Sequence, residues 1–206
     1  MIFTNYIPLV RLFGNSIANA APICKGQQQK RKLFAIVRIA FNSVDVSRLQ
    51  EVGPNRLCAE WIVKNGGAVR FLEDPNKLYN DYNSLPPESQ KYRLKVADAT
   101  DSSIMNIGLD HFKGCNHVDT VILHNCTHLE EDGLKGLVHI VNSLVRLQVS
   151  GCYNINDEGL KEIANLKNLK QLIIFNMTAV KSFAATVSYI QGQLPNCEID
   201  AKRFKR

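Results

Sequence analysis

Two histidines and a cysteine occupy alternate positions directly after a short apolar stretch of the sequence. His124, Cys126 and His128 supply two imidazoles and a thiol, the groups that bind zinc or act as nucleophiles. A spacing of i, i+2, i+4 at the end of a strand is not a standard zinc arrangement, and free cysteine packs as a small hydrophobe. We predict that Cys126 is buried and structural; the alternative is a reactive or metal-binding thiol.

Acidic residues at the end of an earlier predicted strand are the next candidates. Asp98 and Asp101 flank Ala99-Thr100, where carboxylates and carbonyls could hold a hard cation, although such residues more often cap a turn. The sequence has no glycine-rich phosphate loop, no GxSxG and no HExxH, and no nucleophile with a base at supporting spacing. We predict that the protein is not an enzyme and takes no small-molecule substrate.

A repeated pattern in the second half of the chain positions these residues. Residues 118–126, 144–152 and 169–177 read LxxLxLxxC or a close variant, and a weaker copy runs through Leu94, Val96 and Ala99. The closing positions 99, 126, 152 and 177 are 27, 26 and 25 residues apart. That period lies within the roughly 20–29 residues of a leucine-rich repeat.

Each copy continues into a similar second half. Gly133-Leu134 and Gly159-Leu160 precede predicted helical stretches, and Gly108-Leu109 fits less tightly. A strand, a turn and a helix in each unit predict an α/β fold, namely a leucine-rich-repeat solenoid of about four cysteine-type repeats. Its curved parallel sheet would occupy residues 91–200, with helices on the convex side.

A solenoid leaves one face of its first repeat uncovered. We therefore predict that residues 33–90, which precede the repeats, form a small N-terminal helical cap domain. Residues 46–52 and 55–65 read as helices separated by Gly53-Pro54. Asn65-Gly66-Gly67 ends the second helix, and a strand is predicted over 68–72. Trp61, Tyr79 and Tyr82 are interpreted as packing within this cap.

Charge is concentrated at the two ends of the chain. No acidic residue precedes Asp45, and the first 32 residues are typical of a mitochondrial transit peptide, with a disordered basic tail as the alternative. Residues 201–206 form a basic C-terminal tail. Subtracting the five cations of the leader and the four of the last five residues from the net charge of +6 leaves −3 on the body, which argues against nucleic-acid binding.

No apolar run reaches the roughly 18 residues of a spanning helix, so any membrane contact is peripheral. The six cysteines are predicted to be mostly reduced and buried.

Several segments outside the repeat consensus occur in the order found in one known family, and residues 41–200 resemble ATP synthase subunit s, the coupling factor B of mitochondrial ATP synthase. The segments that carry this resemblance are Val52-Gly-Pro-Asn-Arg56, Glu60-Trp61, Asp81-Tyr-Asn83 with Leu85-Pro86, Lys91-Tyr92, Asp98-Ala-Thr-Asp-Ser102 and Gly108-Leu-Asp-His111.

The resemblance implies a protein associated peripherally with ATP synthase on the matrix side of the mitochondrial inner membrane. It implies a role in coupling proton transport to ATP synthesis, and a helical domain before four leucine-rich repeats. It also implies a magnesium ion on backbone carbonyls, here those of Gly66 and Thr100. The family's dithiol has two cysteines separated by one residue, whereas this chain has His124 at the first position and Cys126 at the second.

Alternation along the strands predicts which side chains face a partner protein. The expected partner-binding residues are Arg93, Lys95, Thr120, Ile122, His124, Arg146, Gln148, Gln171, Ile173 and Phe175. Basic residues at one side and isoleucine and phenylalanine at the other would suit an acidic or amphipathic segment. Two alternatives remain: an assembly factor for respiratory complex I, and a ubiquitin-ligase adaptor with cysteine-type repeats.

Overall fold

Six strands that follow one another along the chain lie side by side in the same order in one sheet. The computed structural model describes residues 25–202. The chain divides into two compact units, residues 1–37 and residues 38–206, and all six strands belong to the second. The strands are β1 (Ala68–Phe71), β2 (Leu94–Asp98), β3 (Thr120–His124), β4 (Arg146–Ser150), β5 (Gln171–Phe175) and β6 (Glu198–Lys202). β1 pairs with β2 antiparallel, and each later pair is parallel.

Two of the three helices before the sheet, α2 and α3, follow the sequence prediction closely. α1 spans Lys25–Asn42, α2 spans Val46–Val52 and α3 spans Pro54–Lys64. The Asp45 side chain caps α2 by accepting from the Arg48 N–H at 3.0 Å. Gly53, at φ 78°, ends α2 and lets Pro54 begin α3 at once. The predicted leader end after residue 32 falls inside α1; the rest of the leader prediction, residues 1–24, lies outside the described residues, as do residues 203–206 of the predicted tail.

The connections between parallel strands are short and mostly 3₁₀ helix. They comprise Asn106–Phe112, Gly133–Ile140, α4 (Asp157–Lys161) continued by Glu162–Asn165, and α5 (Phe183–Gln193). The helical stretches predicted after Gly133-Leu134 and Gly159-Leu160 are therefore present: the first is a 3₁₀ helix, and the second begins as α4 and continues as a 3₁₀ helix. The last strand, β6, extends two residues into the predicted tail and ends at Lys202.

The inward side of the sheet forms the core in a regular register. Ala97, Val121, Leu147, Leu172 and Ile199 are successive neighbours across β2 to β6. The first four of these side chains are buried, and Ile199 packs against the same core. Each inward position therefore recurs in the next strand.

The predicted alignment of the first copy is wrong. Arg70 pairs with Val96 while its neighbour Phe71 pairs with Leu94, so Lys95 is an extra residue in a β-bulge. Leu94 and Ala97 both point inward, and Val96 is partly exposed. Small Ala97 occupies the position where the other copies have valine or leucine, which hides the pattern in the sequence.

Each of the strands β2 to β5 is followed by a left-handed residue and then a buried one, directly after β3, β4 and β5 and three residues after the end of β2. The left-handed residues are Asp101, Asn125, Gly151 and Asn176, with φ of 55°, 53°, 63° and 54°. The residues that follow them are Ser102, Cys126, Cys152 and Met177, and all four are buried. Ser102 rather than Ala99 is thus the closing position of the first copy.

A buried carboxylate joins α2, α3 and the loop before β2. Glu60 accepts from Arg48 Nη2 at 2.6 Å and from Arg56 Nε at 2.8 Å, and Lys64 Nζ lies 3.4 Å away. Arg48 also contacts Glu88, and Arg56 donates to the Pro86 carbonyl. Burial alone would raise the pKa of Glu60, but the hydrogen bonds from Arg48 and Arg56 outweigh burial and hold this pKa below its usual range. Charge pairing, rather than apolar burial alone, therefore holds this part of the predicted cap together.

The aromatic residues assigned to the cap do pack there. Trp61 stacks on His111 with ring centroids 4.9 Å apart and meets Phe112 edge-on. Tyr79 packs edge-on against Phe71, and its backbone bridges to Val69 along the outer edge of β1. Trp61 and Tyr79 are buried, and Tyr82 packs against the same core. Because Trp61 meets residues of the first strand-to-strand connection, the helical region and the sheet share one core.

Candidate partner-binding face

The outward side chains of β2 to β6 form a continuous surface, which we call the open sheet face. The register arranges these side chains in three rows that cross the strands. The first row is Val96, Thr120, Arg146, Gln171 and Glu198; the middle row is Asp98, Ile122, Gln148, Ile173 and Asp200; the last row is His124, Ser150, Phe175 and Lys202. All except Ser150 are partly or fully exposed, whereas the side chains that alternate with them are mostly buried.

Polar side chains brace the last row. His124 Nδ1 lies 2.8 Å from Ser150 Oγ, and Gln148 Nε2 donates to the same oxygen at 2.9 Å. The His124 ring also lies against the Phe175 ring, with centroids 5.7 Å apart. These contacts hold His124, Gln148 and Phe175 in fixed positions on the surface before any partner arrives, which lowers the entropy that binding would cost.

A small group of charges holds the first row. Arg146 Nε donates to Thr120 Oγ1 at 3.0 Å, and Arg146 Nη2 lies 3.5 Å from Asp119 Oδ1. Lys95 Nζ approaches the other oxygen of Asp119 at 3.7 Å. Asp119 thus offsets part of the positive charge, so this row is less basic than the sequence indicates.

Two of the predicted face residues do not belong to the face. Arg93 precedes β2 and pairs with Glu73 at 2.7 Å, and Lys95 is the bulge residue beside Asp119. The bulge shifts the alternation by one residue, and therefore Val96 and Asp98 occupy the positions expected for Arg93 and Lys95. The other eight predicted residues all lie on the face: Thr120, Ile122, His124, Arg146, Gln148, Gln171, Ile173 and Phe175.

The sequence prediction missed the residues that make the face acidic at its ends. Asp98 comes from the misaligned first copy, and Glu198, Asp200 and Lys202 come from β6. The alternation Glu198, Asp200, Lys202 around Ile199 and Ala201 was the available signal for β6. This strand lacks the LxxLxL pattern of the other copies, which is why the sequence does not mark it as a further strand.

The cysteine of the His-Cys-His segment lies on the inward side, as predicted. Cys126 is buried, and its thiol donates to the Ala99 carbonyl at 3.1 Å, as the Cys152 thiol does to Leu123 at 3.4 Å. The neighbouring Cys152 thiol and burial raise the pKa of Cys126 well above its usual value. Such a thiol is a poor nucleophile at neutral pH. Cys58, Cys115, Cys152 and Cys197 are also buried, and Cys24 lies outside the described residues.

The two residues assigned to magnesium lie at the ends of neighbouring elements. Gly66 follows α3 and Thr100 follows β2, and the Ser103 N–H donates to the Asn65 carbonyl at 2.9 Å, which joins the two segments. Asp98 Oδ1 accepts from the Thr100 N–H and hydroxyl at 3.0 and 2.6 Å, and Asp101 Oδ1 accepts from Asn125 Nδ2 at 2.9 Å. Asp98 therefore caps a turn, and Asp101 joins the turns that follow β2 and β3. Within residues 25–202, no three His, Cys, Asp or Glu side chains are grouped to hold a metal ion.

These observations define the class of the protein. It is an α/β protein with a six-stranded, mostly parallel sheet, and one face of that sheet has both apolar and charged side chains. No family model matches the chain. The protein named "ATP synthase subunit s, mitochondrial" in Mus musculus is 37% identical over 173 residues, covering 82% of this chain and 86% of the relative. The protein of the same name is 34% identical in Homo sapiens, with the same coverage, and 32% identical in Bos taurus over 176 residues, or 84% and 88% of the two chains. The chain therefore belongs to the ATP synthase subunit s family, which confirms the resemblance found in the sequence.

Proposed function

We propose that this protein is a non-catalytic subunit of mitochondrial ATP synthase that binds the enzyme through the open sheet face. In this role it supports the coupling of proton transport to ATP synthesis. The observation that carries the proposal is the relationship to proteins named as mitochondrial ATP synthase subunits over 82% of the chain. The partly exposed Ile122, Ile173 and Phe175, between charged residues, match the composition of protein-binding surfaces.

The proposed architecture for this role is a leucine-rich-repeat solenoid with a helical cap. Corrected closing positions at 102, 126, 152 and 177 are 24, 26 and 25 residues apart, a period that fits such repeats. Each unit contributes one strand, one left-handed turn and one short helix in the same order. A solenoid built in this way offers one side chain from every repeat to each row of the face.

We further propose peripheral attachment to the matrix side of the mitochondrial inner membrane. Along residues 25–202, no helix is both long and apolar enough to cross a bilayer. α1 has large exposed apolar side chains that would suit a lipid interface: Leu33, Phe34, Ile36, Val37, Ile39 and Phe41. Arg38, which follows the predicted leader, lies on the same helix and would attract anionic lipid.

Magnesium on the Gly66 and Thr100 carbonyls is part of the proposal. Carbonyl oxygens are ligands that hard cations accept, and both residues stand where α3 and β2 end close together. Such an ion would stabilise the junction between the cap and the first repeat, and it would supply no chemistry to the open sheet face.

Deletion of the gene, followed by native gels of digitonin-solubilised mitochondria, tests the proposed partner. We expect ATP synthase assemblies, or ATP synthesis per oxygen consumed, to decrease while complex I remains intact, because the chain is proposed to act on ATP synthase alone. Re-expression should restore the wild-type result. Loss of complex I with normal ATP synthase would contradict the proposal and support the assembly-factor alternative. A cytosolic location of the tagged chain would support the ubiquitin-ligase alternative.

A further inference from the structure

The middle row of the open sheet face has a symmetric composition. Across β2 to β6 it reads Asp98, Ile122, Gln148, Ile173 and Asp200, so two apolar side chains stand between two carboxylates. Gln148, at the centre, is held down on Ser150 by its hydrogen bond. A ligand that fits this row needs two apolar groups inside and a positive group at each end.

We propose that the open sheet face binds an amphipathic α-helix of the partner that lies across the strands, with a cationic side chain at each end of its apolar stripe. The inference deepens the proposed function and rests on it for the identity of the partner. It also changes the expected chemistry of that partner, because the sequence alone favours an acidic or amphipathic segment.

The spacing of the row sets the spacing of the ligand. Neighbouring strands lie about 4.8 Å apart. Ile122 and Ile173, two strands apart, are therefore about 10 Å from each other, and Asp98 and Asp200, four strands apart, about 19 Å. An α-helix rises about 1.5 Å per residue. Apolar residues seven positions apart are then separated by about 10.5 Å and return to the same side of the helix.

The positions of the two cationic residues on the ligand helix follow from the same rise per residue. A basic residue three positions before the first apolar residue lies about 4.5 Å along the axis from it, and one four positions after the second lies about 6 Å beyond it. The two cations are then about 21 Å apart, close to the separation of Asp98 and Asp200. A helix also satisfies its own backbone hydrogen bonds, whereas an extended segment crossing the strands would leave its own unpaired.

The charges already on the face permit this occupant. Lys202 Nζ lies 3.2 Å from Asp200 Oδ2, and both side chains are more than half exposed, so this ion pair is weak enough to exchange for a partner's cation. Arg146 lies in the first row, where Asp119 offsets its charge, and it does not interrupt the middle row. Cationic residues at the ends of the helix would therefore be attracted, and acidic ones in the same places repelled.

Fluorescence anisotropy with the purified full chain and three labelled helical peptides tests the inference. The first peptide has two leucines seven positions apart, flanked by lysines at the spacing given above, on an alanine and glutamine background. The second has glutamate in place of both lysines, and the third has serine in place of both leucines. We expect the lysine–leucine peptide to bind at least about tenfold more tightly than either of the others, and its affinity to fall as the salt concentration rises.

Matched variants test whether the lysine–leucine peptide binds at the open sheet face. Asp98→Asn with Asp200→Asn keeps the shape of both side chains and the turn made by Asp98, and should weaken binding by about tenfold. Asp132→Asn with Glu158→Gln removes two exposed carboxylates near the helices and should leave binding unchanged. Unchanged unfolding midpoints would show that both double variants fold normally.

Three outcomes would overturn the inference. They are equal or tighter binding of the glutamate peptide, equal binding of the serine peptide, and no saturable binding of the lysine–leucine peptide, including the case in which self-association covers the face. The test is separate from that of the proposed function. Binding of the lysine–leucine peptide by a chain that does not associate with ATP synthase would keep the chemistry of the face and remove the proposed partner.

Discussion

Replacement of Asn42 by alanine should lower the free energy of unfolding by about 3–5 kcal/mol, because several buried groups lose their hydrogen bonds at once. The Asn42 side chain is fully buried at the end of α1. Its oxygen accepts from the Trp61 indole N–H at 3.1 Å and from the Met105 N–H at 2.8 Å. Its nitrogen lies 3.1 Å from Asn65 Oδ1 and 3.1 Å from the Ser103 carbonyl.

Alanine would leave the Trp61 and Met105 donors without that partner in an apolar setting. Each unsatisfied buried group costs about 1–3 kcal/mol, and the cavity adds to this cost. Urea unfolding followed by circular dichroism would measure the change. Ser43→Ala is the matched control, since the exposed Ser43 hydroxyl donates only to the Ile39 carbonyl in its own helix turn, and it should shift stability by less than about 0.5 kcal/mol. A loss below about 1 kcal/mol for Asn42→Ala would show that water replaces the amide and that it does not join α1 to α3 and to the segment after β2.

The second large effect is a difference of about 1.5–4 kcal/mol in unfolding free energy between two glycine-to-alanine substitutions. A methyl group added at Gly159 in α4 would come within 2.4 Å of the Glu131 carbonyl oxygen and 2.9 Å of the Glu131 Cα. Both are backbone atoms of the preceding connection, so relief requires two successive units to move apart. Gly192, near the end of α5, has nothing within 4 Å of the same methyl position.

Gly159→Ala should therefore destabilise the protein by about 1–3 kcal/mol, as overpacking does, and Gly192→Ala should stabilise it by about 0.5–1 kcal/mol through helix propensity. The substitution is the same at both sites, so its effect on the unfolded chain largely cancels in the comparison. Differential scanning calorimetry of the two variants beside the wild type would measure the difference. Equal shifts of the two melting temperatures would mean that the successive units do not pack as closely as the structure shows.

The sequence predicted the parts of the fold that depend on local pattern. The positions of β3, β4 and β5 and of the helical stretches at Gly133-Leu134 and Gly159-Leu160 follow from residues close together in the chain, and Gly53-Pro54 marks the break between α2 and α3. Eight of the predicted face residues lie on the predicted side of the sheet because strict alternation on β3, β4 and β5 leaves one choice of side. The sequence identifies Gly159 as part of a Gly-Leu motif. Only the structure shows why a glycine is needed there, because the backbone of Glu131 lies too close for a side chain.

The errors arise where long-range contacts decide the local structure. The bulge at Lys95 forms because β1 pairs antiparallel with β2, and this pairing changes which residues of β2 face outward. β6 completes the acidic end of the face, although its segment lacks the leucines that mark the other strands. The role of Asn42 also could not be seen in the sequence, since its partners come from residues 19 to 63 positions away as well as from its own helix.

Co-purification from mitochondria tests the central claim, that the open sheet face binds ATP synthase, most directly. Tagged wild-type chain, Ile173→Glu and Val138→Glu would be expressed at equal levels in cells that lack the native protein and captured after mild solubilisation. Ile173 lies in the middle row, whereas Val138 is an exposed apolar residue of the Gly133–Ile140 helix, so the chemical change is the same at two different surfaces. We predict that wild type and Val138→Glu retain ATP synthase subunits, while Ile173→Glu retains less than about a tenth as much, as expected for an interface centre. Equal retention by all three, or retention by none, would contradict the account.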